Sequence, residues 1–159
     1  MKRYQTAAIK QVALGVTVAI VLVFAANALA AEYGSVRKDG VNIRSGPATD
    51  QEILWEVFQG FPLEILGRDG KWVQCRDFEA DTGWIFDNLV SSDKTVIVSK
   101  NMVNMRIGPG KDYETVATVK YGVIFTPVTK ENDWIKVRHA DGTEGWIHKS
   151  LLWPSDLLD

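Results

Sequence analysis

The stretch Val41-Asn42-Ile43-Arg44-Ser45-Gly46-Pro47 returns 62 residues later as Val103-Asn104-Met105-Arg106-Ile107-Gly108-Pro109. Carrying that offset along the chain without a gap aligns Gly60 with Gly122, Trp72 with Trp134 and Arg76 with Arg138. It also sets Gly83-Trp84-Ile85 on Gly145-Trp146-Ile147. Glycines, a proline and two tryptophans held in one register mark an internal duplication far more firmly than any single short motif. The 159 residues therefore read as two copies of one unit of about 60 residues, near the lower limit for a domain that folds alone.

Within each copy the local period is that of strands. Val41 and Ile43 alternate with Asn42 and Arg44, which puts the apolar pair on a core face and the polar pair outward. Gly46-Pro47 then stops the strand, because Pro fixes φ and pushes its predecessor toward extended geometry. Ile53 to Phe58 and Leu63 to Leu66 read as further strands around a Gln59-Gly60 turn. Asp69-Gly70 is predicted to be the two-residue loop of a hairpin. In Trp72-Val73-Gln74-Cys75-Arg76, Val73 and Cys75 face one way and Trp72 the other. A turn over Glu79 to Thr82, the Gly83-Trp84-Ile85 strand and Leu89-Val90 complete the first unit. Thr95 to Val98 is the lead-in strand of the second.

Composition excludes several classes of function. Cys75 is the single cysteine, so neither an internal disulfide framework nor a Cys-rich zinc site is available. Its repeat partner is Val137, so Cys75 reads as a small buried hydrophobe. His139 and His148 occur only in the second copy, opposite Asp77 and Phe86, and no metal or cofactor site is expected. Asp50 with Glu52, and Asp112 with Glu114, read as solvated acidic loops, with no catalytic residue expected.

Residues 1–30 read as a secretory signal peptide. Lys2, Arg3 and Lys10 precede the apolar run Val12 to Ala26, and Ala28-Leu29-Ala30 offers small residues for cleavage. If the segment is not cleaved, it is the expected membrane contact. Cleavage after Ala30 leaves 15 Lys+Arg against 20 Asp+Glu, a formal net charge of −5. Such an acidic chain lacks the clustered positive charge that sequence-independent nucleic-acid binding requires. The expected location is outside the cytoplasm, in the periplasm or, as the alternative, extracellular.

The order VN-x-R-x-GP, a Gly turn, a Trp-led strand, GWI and a terminal Leu resembles the bacterial SH3 (Src-homology-3-like) domain of exported envelope proteins. The second copy's Glu144-Gly145-Trp146-Ile147-His148-Lys149-Ser150-Leu151-Leu152 carries the likeness most fully. The resemblance implies an all-β chain of two consecutive small barrels with about five strands each, behind the signal-peptide helix. Their expected spans are 33–91 and 94–153, followed by a short acidic tail, 154–159. Only Ser91 to Lys94 separates the copies, which predicts a narrowly fixed orientation.

For function the resemblance implies a non-catalytic binding module. The partner is a peptidoglycan stem peptide or a wall-associated protein, with an envelope adaptor and a wall-processing enzyme as the alternatives. Eukaryotic relatives hold proline-rich ligands on stacked aromatics, and their groove Trp is similar to Trp72 and Trp134. The groove proline and second tyrosine of those domains are replaced here by Phe86 and Leu89, and by His148 and Leu151. The candidate ligand-binding residues are Trp72, Trp134, Arg44 and Arg106. Each tryptophan either lines a groove or covers the open side of a barrel. Each arginine either clamps a carboxylate or reaches over the next turn to its carbonyls or to Asp50 and Asp112. Trp84 and Trp146, beside β-branched residues, are expected to pack.

Overall fold

A computed structural model describes residues 31–158; the expected signal peptide over 1–30 and the last residue of the tail lie outside the described residues. In the first unit the strands are β1 (Glu32–Val36), β2 (Val41–Arg44), β3 (Ile53–Val57), β4 (Pro62–Asp69), β5 (Trp72–Arg76), β6 (Thr82–Phe86) and β7 (Val90–Ser91). The second unit has β8 (Val96–Val98), β9 (Val103–Arg106), β10 (Thr115–Val119), β11 (Ile124–Glu131), β12 (Trp134–Arg138), β13 (Glu144–His148) and β14 (Leu152–Trp153). A single 3₁₀ turn precedes the last strand of each, at Asp87–Leu89 and Lys149–Leu151. The fold is all-β, as expected, with seven strands per unit where about five were predicted. Beyond the strands read from the sequence are β1, which lies 62 residues before the Thr95 to Val98 strand but was not read, and the two-residue β14; β7 overlaps the Leu89-Val90 close of the first unit.

Each unit is one antiparallel sheet, ordered β3-β2-β6-β5-β4-β1-β7 and β10-β9-β13-β12-β11-β8-β14. The sheets are rolled. Val57 of β3 and Val36 of β1, five places apart in the order, belong to one buried cluster with Ile43, Leu63, Val73, Cys75 and Ile85. The second cluster gathers Met105, Val119, Phe125, Ile135, Val137 and Ile147 in the same way. Period-2 alternation supplies these residues directly, because successive side chains on a strand point to opposite faces.

The β4–β5 hairpin corrects a sequence expectation. Asp69 pairs with Trp72, so the loop is Gly70-Lys71 and not Asp69-Gly70. Positive φ falls on the first loop residue alone, +56° at Gly70 and +51° at Asn132 in the second copy. That is the II′ pattern, which puts glycine or asparagine first.

The two units are packed together. Val96 and Val98 of β8 enter the second core, while Ile97, on the opposite face of the same strand, enters the first. A strand buried on both faces reads as an unbroken apolar run, and Val96-Ile97-Val98 is such a run. Ile124 and Trp153 also pack against the first core. Tyr33 meets Trp153 edge-on at 5.7 Å between ring centroids, and Phe78 meets Tyr121 at 5.2 Å. The Thr95 hydroxyl donates to the Gly60 carbonyl at 2.7 Å, and the Lys94 ammonium donates to the Tyr33 carbonyl. The tail folds back in part, with Leu157 against the second core.

Candidate functional site

The outer face of the second sheet carries a groove of about 460 Å³. Strand parity builds it: Ile135 and Val137 are buried, so Trp134 is turned outward and half-buried. Directly across the ladder stands His148, whose ring meets the Trp134 ring at 5.4 Å and 90°. Arg106 and Asn104 come from the repeated motif on β9, and Lys100 and Lys111 from the loops on either side of it. An aromatic wall with three cations around it suits a ligand that combines an apolar surface with carboxylates.

The structure thus brings Trp134 and Arg106 into one groove. In the first unit Trp72 faces Phe86 across the ladder, with ring centroids 5.4 Å apart at 82°. Arg44 on β2 is one strand, β6, away from Trp72 on β5, the same spacing that β13 sets between Arg106 and Trp134. At the positions of Lys111, His148 and Asn101 the first unit has Thr49, Phe86 and Asp39. Asp39 is already committed, accepting the Gln59 amide at 2.8 Å. The two outer faces share a plan but differ in charge.

Both arginines reach over the turn that follows their strand. Arg44 Nη1 donates to the Gln51 carbonyl at 2.8 Å, and Arg106 Nη1 to the Tyr113 carbonyl at 2.7 Å. Their first role is to brace that turn, and Arg106 does so while lining the groove. Trp84 and Trp146 depart from expectation. They are half-buried on the outer face, beside Arg44 and Arg106 in the ladder, and belong to neither core cluster. The reason is parity: Ile85 and Ile147 take the inner face, so the preceding residue cannot.

Sequence reasoning missed Lys100, Lys111 and the placement of His148. Lys100 aligns with Lys38 at the repeat offset, a signal that was present; Lys111 opposite Thr49 gave none. His148 Nδ1 lies 2.8 Å from Ser150 Oγ and also accepts the Ser150 amide at 3.4 Å, so the pair caps the 3₁₀ turn. Cys75 is buried, its thiol 3.5 Å from the Gly83 carbonyl. Burial pushes its pKa up to about 12, far from the thiolate that nucleophilic chemistry needs.

Among the described residues, Asp77, Glu79 and Asp81 form a group of potential cation ligands whose oxygens lie within 4.8 Å of one another. Their partners explain the cluster without a ligand. Asp77 Oδ1 accepts the Glu79 and Asp81 amides at 2.9 and 3.0 Å, and Glu79 accepts the Tyr121 hydroxyl at 2.5 Å. Burial raises the Asp77 pKa above its ordinary 3.8 despite those amide bonds. A raised carboxyl pKa costs stability when the group is ionised. Asp77→Asn keeps an oxygen for both amides and removes the charge. We expect it to raise Tm at neutral pH, with the gain shrinking as pH falls through the native pKa and gone below 3.8. Thermal melts across pH check this, and a gain that persists at low pH would refute the charge argument.

The family comparison agrees with this architecture. The sequence model of the bacterial SH3 domain matches the chain twice, over residues 37–92 and 99–154. A putative N-acetylmuramoyl-L-alanine amidase of Bacillus subtilis, YrvJ, is 30% identical over 128 residues. That match covers 74% of this chain and 24% of YrvJ, so the chain spans about a quarter of that relative's length. Among solved structures, an NlpC/P60 family protein from Bacillus cereus overlaps 76% of this chain and 55% of its own, with 11% identity and a TM-score of 0.36. NlpC1 from Trichomonas vaginalis overlaps 86% and 50%, with 15% identity and a TM-score of 0.34. With its two family matches falling on its two rolled sheets, the chain belongs to the bacterial SH3 domain family, in tandem.

Proposed function

We propose that this chain is an exported, non-catalytic binding protein of the bacterial envelope that holds peptidoglycan stem peptides on its outer sheet faces. The observation that carries the reading is the second-unit groove, where Trp134 stands among Arg106, Lys100 and Lys111. Stem peptides offer what that groove takes: short aliphatic side chains for the ring and free carboxylates for the cations. The family's character as cell-wall binding modules and the amidase named among its relatives support a wall location, with which the signal peptide expected from the sequence of residues 1–30 is consistent. The packed interface holds the two faces in one geometry, so two weak sites act on a repetitive polymer with a raised effective concentration.

Co-sedimentation of residues 31–159 with purified peptidoglycan tests this. The expected result is saturable binding that weakens with salt, because cations carry part of it, and that soluble stem peptide competes away. Absence of binding would overturn the wall reading, and release of muropeptides would overturn the non-catalytic one.

A further inference from the structure

The second barrel has an opening that the first keeps closed. In the first, Trp55 of β3 pairs with Ile43 and packs onto the core. Its Cη2 lies only 3.4 Å from where a Cβ on Gly83 would stand, so the ring reaches across to β6. The corresponding residue of β10, paired with Met105, is Ala117. A ring is lost from the pocket wall as well, where Phe61 becomes Val123. Met105 for Ile43 and Phe125 for Leu63 restore some volume, yet a pocket of about 330 Å³ remains, walled by Met105, Ala117, Val123 and Phe125. It lies on the opposite side of the sheet from the Trp134 groove, and the two share none of their lining residues.

We infer that this pocket is a second binding site, which receives an aromatic side chain from a partner polypeptide. The first barrel supplies the template, since an indole fills the equivalent place there from within the chain. Recognition chemistry stands at the rim. His139 meets Phe125 at 5.5 Å between ring centroids, giving an incoming ring an aromatic wall for edge or offset contact. Asp141, whose Oδ1 accepts the Thr143 amide at 2.8 Å and lies 3.1 Å from His139, has its second carboxylate oxygen to offer an indole N–H. Trp55 has no such acceptor, and its buried Nε1 is without a hydrogen-bond partner. β10 is also the edge strand of its sheet, bonded to β9 alone, so its free side offers backbone groups to the segment that carries the ring.

The test is titration of the ¹⁵N-labelled protein with N-acetyl-tryptophanamide, with N-acetyl-leucinamide as the control. Saturable amide shifts at Ala117, Val123 and Phe125 are expected with the indole probe. Ala117→Trp should weaken that binding at least tenfold while leaving sedimentation with peptidoglycan unchanged, which separates this site from the groove. Ala117→Leu, a smaller filling, gives the same direction if the tryptophan variant folds poorly. Shifts confined to other residues, equal binding of the leucine probe, or full affinity in the filled variants would overturn the proposal. A wild-type dimer that Ala117→Trp converts to monomer would seat a second copy in the pocket and overturn the foreign partner.

Discussion

Gly83→Ala is expected to destabilise the first barrel by about 1–3 kcal/mol, the usual range for overpacking a filled core, and Gly145→Ala to cost less in the second. The added Cβ at Gly83 would stand 2.3 Å from Ile43 Cγ2 and 3.0 Å from the Arg44 carbonyl oxygen. Ile43 is fully buried and β-branched, so its χ1 has little freedom to swing away, and Trp55 closes the space behind. At Gly145 the contacts are Met105 Cγ at 2.4 Å, its Sδ at 3.0 Å and the Arg106 oxygen at 3.1 Å. Methionine is unbranched and adaptable, and it borders the Ala117 pocket, which gives it somewhere to go. Calorimetry reads the outcome: for a unit this small, each kcal/mol lowers Tm by about 4–8 °C. Equal losses in the two variants would show that the backbone carbonyl, and not the facing side chain, sets the cost. The same crowding accounts for glycine at the head of both Gly-Trp-Ile phrases, since any Cβ there would meet the side chain and carbonyl of the facing strand.

Trp134→Ala should weaken peptidoglycan sedimentation by about thirtyfold, the effect of losing a central aromatic anchor worth about 2 kcal/mol. Trp72→Ala should do less, because its face lacks the counterpart of Lys111 and has Phe86 for His148. The double variant should abolish binding, since neither half then holds the polymer for the other. Both side chains lie outside the core clusters, so the melting temperature should move little and a loss of binding can be assigned to the groove. Identical effects of the two single variants would make the faces equivalent, and retained binding in the double variant would remove both tryptophans from the site.

The candidate site was legible in part. Trp134 and Arg106 announce themselves by recurring at the repeat offset, and alternation on their strands shows that they share a face. The lysines that complete the groove come from loops flanking β9, 34 and 23 residues before Trp134, where no period operates. Arg44 and Arg106 were readable as turn braces because a strand-end arginine ahead of a Gly-Pro turn has carbonyls within reach. Trp84 and Trp146 misled because β-branched neighbours suggested burial, whereas parity had already assigned the inner face to Ile85 and Ile147.

What the sequence by itself determined is the duplication, the all-β character and the inward set on each strand, because a two-residue period maps straight onto the two faces of a sheet. What only the tertiary structure decided is how those sheets roll and meet. Ile97 serving the first core from a strand of the second sheet, the union of Lys100 and Lys111 with Trp134, and the opening beside Ala117 all depend on curvature. Curvature brings strands from far apart in the order within contact, and it arises from the packing of the whole sheet, which no local pattern records.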